Sequence, residues 1–374
     1  MSRFTVDQKT LFSILSWMQP ICTKRTTLDV TTYLLFEVGH RELVIKGTDL
    51  EVSLQSTFPL IESDVEEPVK FLVLGKRLFD VVKELEEPIN CTLDENQLHI
   101  RTSSVDVALN IRSCEGFPSF PERIENIMQL DSSIFLKFLN KVAFLIPQNN
   151  ANPALNGLLI EISSNGLTLT TTDGHSLAQA KTSQYALSET KKWLVPRRAI
   201  FELKKLLECA NEAPVFVGTC NNQIVFSGPA FNFFSKLLNS QFPDYLPILQ
   251  RDGFVPASVD RQQLVKALRR ASSLLSGNFI ATQFVFEHDI VHVNMHNKEI
   301  GKLKEALVID GAGQDGLDIR FYAPYLLGGL QAFAGERITF YLKAPTRPII
   351  FNDAEEGGYE ITYLVMPVSP SHAM

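Results

Sequence analysis

VDQKTLFSILSWMQPI at Val6–Ile21, DSSIFLKFLNKVAFLI at Asp131–Ile146 and VDRQQLVKALRRASSLL at Val259–Leu275 are three versions of one segment. Each opens on an acidic residue suited to cap a helix and continues with apolar residues at helical spacing. They recur at intervals of roughly 125 residues, which marks an internal repeat. A second helical stretch comes after each of them about 65 to 70 residues later, at Leu74–Glu87, Val195–Cys209 and Ala323–Gly335. The segments between rhyme too. GTDLE at Gly47–Glu51 answers TTDGH at Thr171–His175, and GFPSF at Gly116–Phe120 answers QFPDY at Gln241–Tyr245.

Between the helical stretches the pattern is that of strands. Leu34, Phe36 and Val38, then Leu43 and Ile45, then Leu50, Val52 and Leu54 alternate with polar residues. Asn165-Gly166 predicts a hairpin between Gly157–Ile162 and Leu167–Thr171. Each repeat therefore predicts two helices packed on antiparallel sheet, an α+β class. The boundaries fall at 1–125, 126–254 and 255–374, and each part has an ordinary domain size. The 45 % hydrophobic content suits a globular chain, and 26 Phe suit cores filled repeatedly. No run reaches the length of a membrane span, and the N-terminus lacks a signal-peptide core, so the chain is expected to be soluble and cytoplasmic. Five cysteines without C-x-x-C spacing suggest neither a disulfide framework nor a zinc site.

The net charge is −7, yet the basic residues are concentrated. Lys137 and Lys141 lie one turn apart on one helix, and Arg261, Lys266, Arg269 and Arg270 on another. Lys76 with Arg77 and Arg197 with Arg198 open second helices, and Lys24 with Arg25 occupy a loop. A single basic helix face is ordinary solvated surface. Its recurrence in an acidic chain points to one polyanion, met through phosphates and without sequence readout.

Enzyme motifs fail on context. Gly311, Gly313 and Gly316 have dinucleotide-fingerprint spacing, with Glu336 further on. The next segment, Leu317–Phe321, alternates like a strand, where a pyrophosphate needs a helix N-terminus. Asp173 and His175 form a turn with no nucleophile at recognisable spacing, and His292 and His296 fall on a strand-like stretch, so no catalytic residue, metal site or cofactor is expected. A nucleotide-dependent enzyme built on Gly311 would show saturable dinucleotide binding. A sequence-specific DNA-binding protein would need side chains poised for base edges, and no helix here displays them.

LNGLLIE (Leu155–Glu161), TTDGHSLA (Thr171–Ala178), VPRRAI (Val195–Ile200), QFPDY and the terminal YLVMPV (Tyr363–Val368) resemble the bacterial sliding clamps, the β subunits of DNA polymerase III. The resemblance spans all three repeats. It implies three clamp modules per chain, and a head-to-tail homodimer closing a six-module ring with helices lining the hole. It implies a non-catalytic processivity factor on double-stranded DNA, without cofactor, metal or membrane. Its partners would be a replicative polymerase subunit, the clamp loader and repair polymerases, bound through short peptide motifs.

The family's partner pocket maps onto Leu155, Thr172, Gly174, His175, Leu177, Pro243, Ile248, Leu364, Met366 and Pro367. Asn152, Ser176 and Pro247 stand where relatives commonly carry basic residues, and the tail continues as SPSHAM. The resemblance assigns DNA contacts to Arg25, Lys76, Arg77, Asn149, Arg197, Arg198 and Tyr325. It sets the dimer seam between an edge strand holding Val107 and Leu109 and the region of Leu274 and Leu275.

Overall fold

The computed structural model describes residues 2–368 except 87, 122, 211, 276–279, 312–314 and 356–357. Its helices are α1 (Gln8–Cys22), α2 (Gly75–Val82), α3 (Ser132–Val142), α4 (Arg197–Glu208), the short α5 (Leu246–Leu249), α6 (Arg261–Ser272) and α7 (Ala323–Leu330). Three equivalent aspartates start three of them. Asp7 accepts a hydrogen bond from the Thr10 amide at 2.8 Å, Asp131 from those of Ser133 and Ile134 at 2.8 and 3.1 Å, and Asp260 from that of Gln263 at 2.7 Å. Each satisfies donors that the first helical turn leaves open.

A strand precedes each of these helices, at Ser2–Val6, Glu125–Asp131 and Val255–Asp260. Sequence periodicity marked no strand ahead of these helices, because the capping aspartate ends one element and starts the next. The full order is strand, helix, three strands, strand, helix, three strands, run through three times, with short extra elements between. One strand expectation fails: Leu50 leaves the ladder and sits in the turn after Asp49 with φ +75°. Asp49 Oδ1 accepts from the Glu51 and Val52 amides and overrides the apolar alternation.

By contact the chain divides into two compact units, one of residues 1–136 and 201–237, the other of 137–200 and 238–374. In the first unit a 13-stranded sheet runs from Glu125–Asp131 at one end to Glu62–Ser63 at the other. In its interior Val52–Pro59, the fourth strand of the first repeat, pairs antiparallel with Phe231–Lys236, the last strand of the second, from Val52↔Ser235 to Ser56↔Phe231. In the second unit a 12-stranded sheet repeats this joint. Ser176–Thr182, fourth in the second repeat, pairs with Tyr359–Val365, last in the third, from Ser176↔Val365 to Thr182↔Tyr359.

Besides the strands that end the two sheets, two interior strands keep most of one side open. Asp106–Arg112, last in the first repeat, lies along Gln97–Arg101, and on its other side only Ile111 and Arg112 find partners. Gly301–Asp310, fourth in the third repeat, lies along Ile290–Asn297, and on its other side only Ile309 and Asp310 are paired. Among the described residues, 106–110 and 301–308 therefore present unpaired backbone along one edge.

The cores repeat the use of phenylalanine. Phe36 stacks on Phe71 at 5.5 Å and α1 meets α2 through Phe12 and Phe79 at 5.6 Å, while Phe284, Phe321, Phe340 and Phe351 fill the third repeat. Each such ring removes enough apolar surface from water to contribute about 1.5 to 3 kcal/mol. No helix among the described residues is long and apolar enough to cross a membrane.

Candidate functional site

The second joint carries an apolar floor with exposed edges. Leu159, Leu177, Leu194, Tyr245, Ile350 and Leu364 form one buried cluster, with Phe242, Leu249 and Phe254 packed against it. Leu177 and Leu364 face each other across the joint, so the strand pairing itself sets the floor. Around it Ile248 and Met366 are each 36 % exposed and Leu246 63 %, an unusual density of apolar surface for one short stretch. Pro243 is exposed and Pro367 half-buried beside them in sequence.

A single turn shapes the opening. Asp173 Oδ1 accepts from the His175 and Ser176 amides at 2.8 and 2.6 Å, and the Thr172 hydroxyl donates to the Ser176 carbonyl at 2.6 Å while accepting from the Gly174 amide. Gly174 takes φ +93°, and the space where its Cβ would lie ends 3.7 Å away on Leu155, which is buried. This turn is locked to the C-terminal strand by the Met366 amide, which donates to the His175 carbonyl at 2.9 Å. Asp173 and His175 thus do structural work, as their spacing predicted.

The structure brings the ten pocket candidates into the same unit, around this turn, the joint and α5. Tyr325, expected among the DNA contacts, stacks its ring on His175 at 5.2 Å and 14°, and its carbonyl accepts from the Tyr363 hydroxyl. Burial first, and the Asp173 carboxylate next, raise the Tyr325 phenol above its ordinary pKa. The aromatic residue two places into α7 gave no signal in sequence that it would meet a histidine 150 residues earlier. Tyr245 closes the floor from below: its hydroxyl donates to Glu161, which also pairs with Lys192 at 2.6 Å, and burial raises its pKa strongly. Where relatives carry basic residues, Asn152 caps its own turn through the Ala154 amide, Ser176 is buried in the joint, and Pro247 is exposed within α5.

The basic residues sort into two sets. Lys137 lies 5.0 Å over the Tyr359 ring, Lys141 donates to the Ala332 carbonyl, Arg261 to the Gly335 carbonyl at 2.8 Å, and Arg270 grips Glu305. These four have heads engaged within the fold, whereas Lys266 and Arg269, read from sequence as part of the same shared positive face, are exposed. Arg25, Lys76 and Arg77 are exposed in the first unit, with Arg77 4.0 Å from Asp80 and Lys24 engaged with Asp49 and Glu51. In the second unit Asn149 is exposed, Arg198 is half-buried and Arg197 donates to the Ile146 carbonyl at 3.0 Å.

Lys76 and Arg77 occupy the first turn of α2, and Arg197 and Arg198 that of α4. Positive charge there opposes the helix dipole and detracts from stability, whereas a phosphate would gain from both the side chains and the free amides. The equivalent turn of α7 holds Pro324 and Tyr325 instead.

At the proposed seam Val107 and Leu109 are half-buried on the open strand, and Leu274 and Leu275 are half-buried just past α6. The Leu274 carbonyl accepts from Asn297 Nδ2 at 2.7 Å, which ties the end of α6 to the turn before Gly301. Gly316 directly precedes the strand Leu317–Phe321, so a strand and not a helix begins where the glycine stretch ends; Gly313 and the SPSHAM tail lie outside the described residues. His292 and His296 are on the strand Ile290–Asn297, and no cluster of metal-ligating side chains occurs among the described residues.

Comparison with known proteins agrees with this architecture along its length. The N-terminal, central and C-terminal domain models of the DNA polymerase III beta subunit match residues 2–121, 129–244 and 249–369. The beta sliding clamp of Pseudomonas aeruginosa is 27 % identical over 370 residues, covering 98 % of this chain and 99 % of that one, and that of Staphylococcus aureus is 24 % identical over 377 residues with the same coverage. The crystal structure of the Pseudomonas aeruginosa subunit superposes with a TM-score of 0.89 at 27 % identity, over 98 % of this chain and 99 % of that one. The Bacillus subtilis sliding clamp shares the fold with a TM-score of 0.90 at 22 % identity, again over 98 % and 99 %. The chain belongs to the DNA polymerase III beta subunit family, the sliding clamps that serve that polymerase as non-catalytic processivity factors.

Proposed function

We propose that two copies of this chain close head to tail into a six-module ring around duplex DNA, the modules being residues 1–125, 126–254 and 255–374. The observation that carries this reading is the joint rule. Twice within the chain the fourth strand of one repeat pairs with the last strand of the next. Of the strands in these two positions, those without such a partner are the fourth of the final repeat and the last of the first repeat, the two halves of one more such joint. A heterologous contact of this kind generates a closed ring when its rotation permits. Aligning the strands by their ladders within each repeat sets Leu303 opposite Val107 and Lys304 opposite Asp106. That register buries the apolar edge residues together and opposes unlike charges. Leu274 and Leu275 would support the same seam from the end of α6.

A ring holds DNA by topology, so weak contacts to the backbone from Arg25, Lys76, Arg77, Asn149, Arg197, Arg198 and Tyr325 suffice, with no base readout. The socket at the second joint would seat leucine and aromatic anchors of short motifs from the replicative polymerase subunit, the clamp loader and repair polymerases. Met366 re-packs readily enough to serve several of them. Tethering then raises the local concentration of polymerase at the primer end, and no catalysis by the clamp is needed. Work on the chromosome fits a cytoplasmic protein.

The test is retention. Clamps loaded onto nicked circular DNA are expected to stay through a high-salt wash, which screens phosphate contacts, and to leave when the circle is linearised. Equal retention on circles and on open-ended duplex would contradict a topological link.

A further inference from the structure

The first joint has the backbone of the second. Asp49 Oδ1 accepts from the Glu51 and Val52 amides at 3.0 and 2.8 Å, as Asp173 does from His175 and Ser176. The Leu50 amide donates to Thr48 at 3.1 Å, as that of Gly174 does to Thr172. The Lys236 amide donates to the Glu51 carbonyl at 2.9 Å, as that of Met366 does to His175. A Phe-Pro-x-aromatic loop, 117–120 here and 242–245 there, accompanies both.

The side chains differ. The position of Leu177 is held by Ser53, that of Met366 by Lys236 and that of Tyr245 by Phe120. Beside this joint lies a groove of about 480 Å³ whose lining includes Ser53, Phe120, Pro121, Gln223, Lys236 and Leu237. Phe120 is half-buried, standing edge-on to Phe234 at 5.9 Å, and offers an apolar ledge. Lys236 is exposed and forms no ion pair among the described residues. Gln223 Oε1 is buried and accepts no hydrogen bond from any described residue.

We propose that this groove is a second peptide-docking site, taking an extended segment that carries a carboxylate beside an apolar side chain. Its carboxylate accepts from the Lys236 ammonium, and its apolar side chain covers Phe120, Pro121 and Leu237. Direction and chemistry distinguish this site from the socket, whose floor is apolar throughout. The site stands on the groove's own side chains and does not depend on the reading of the socket.

The experiment is fluorescence polarisation with two labelled, end-blocked tetrapeptides, Asp-Leu-Phe-Asp and Lys-Leu-Phe-Lys, on the full chain carrying Met366→Arg to obstruct the socket. The acidic peptide is expected to saturate and the basic one not. Adding Lys236→Glu should weaken the acidic peptide about tenfold, the worth of one charged hydrogen bond, with Lys236→Gln as a milder second variant. The proposal is overturned if the acidic peptide fails to saturate by ~1 mM, a range that covers weak short-motif binding. It is equally overturned if Lys236→Glu and Lys236→Gln leave the affinity unchanged, or if the basic peptide binds as well as the acidic one.

Discussion

The joint of Val52–Pro59 with Phe231–Lys236 and the joint of Ser176–Thr182 with Tyr359–Val365 are one scaffold carrying two surface chemistries. Their turns hold the same hydrogen bonds, yet Ser53, Glu51 and Lys236 in one stand where Leu177, His175 and Met366 stand in the other. Repetition fixed the backbone, because capping and ladder bonds must be satisfied in every copy. It left free the residues that point outward from the joint. A repeat thus supplies several geometrically equal grooves, and function is written onto one or another by a few side chains.

The strongest way to break the comparison acts behind the second joint. A Cβ on Gly329 of α7 would lie 1.8 Å from the Tyr363 ring, whose own strand forms the joint. Gly329→Ala is expected to destabilise the protein by about 3 kcal/mol or more, read from urea unfolding, since neither the buried ring nor the helix can yield. Both α7 and the partner strand belong to the third repeat, so peptide binding in the socket should fall with it.

Next in size, Leu177→Ala removes part of the buried floor and should lower stability by about 2 to 4 kcal/mol while abolishing peptide binding. Met366→Ala, at a position 36 % exposed, should leave unfolding nearly unchanged and still weaken the peptide. Isothermal titration beside urea denaturation separates the two. Matching stability losses would make the rim part of the core and erase the distinction between floor and rim.

Opposed charges at the open edges give a smaller effect. Lys304→Glu should weaken self-association about tenfold by placing like charge against Asp106, and Asp106→Lys in the same chain should restore it. Sedimentation velocity across a dilution series reads both. Failure of the double variant to recover would mean that the register carried over from the two internal joints does not govern the third.

Smallest is the cap of α3. Hydrogen bonds from the Ser133 hydroxyl first, and from the Ile134 amide, hold Asp131 below its ordinary pKa. A carboxyl depressed in the folded state stabilises above its unfolded pKa, near 4, and that contribution fades as pH falls through the folded value. Asp131→Ala should therefore cost about 1 kcal/mol at pH 7 and markedly less near pH 2, whereas Asp131→Asn should stay close to the native chain at both. Thermal melts at the two pH values decide it.

Much of this architecture was legible because repeats and caps leave local marks: Asp7, Asp131 and Asp260 each announced a helix start, and Asp173-Gly174 a turn. The strand ahead of each cap was not, since a short apolar alternation merges with the helical pattern directly after it. Nor could sequence tell that Lys137, Lys141, Arg261 and Arg270 would find partners within the fold, because those partners, Tyr359, Ala332, Gly335 and Glu305, are distant in the chain. The stacking of Tyr325 on His175 escaped for the same reason. Open edges are likewise a property of pairing, visible only once every other ladder is known.

The central claim is that the open strand of the first repeat completes the open strand of the third in a second copy. The most direct measurement is oxidative cross-linking of the full chain carrying Ala108→Cys and Lys302→Cys, which the carried-over register sets opposite each other, within reach of a disulfide. Non-reducing electrophoresis is expected to show a species near twice 42.0 kDa that reducing agent converts to monomer, and neither the native chain with its five cysteines nor a variant carrying only one of the two substitutions should form it. A doubly substituted chain that remains monomeric, or that cross-links no better than either single variant, would contradict the head-to-tail ring.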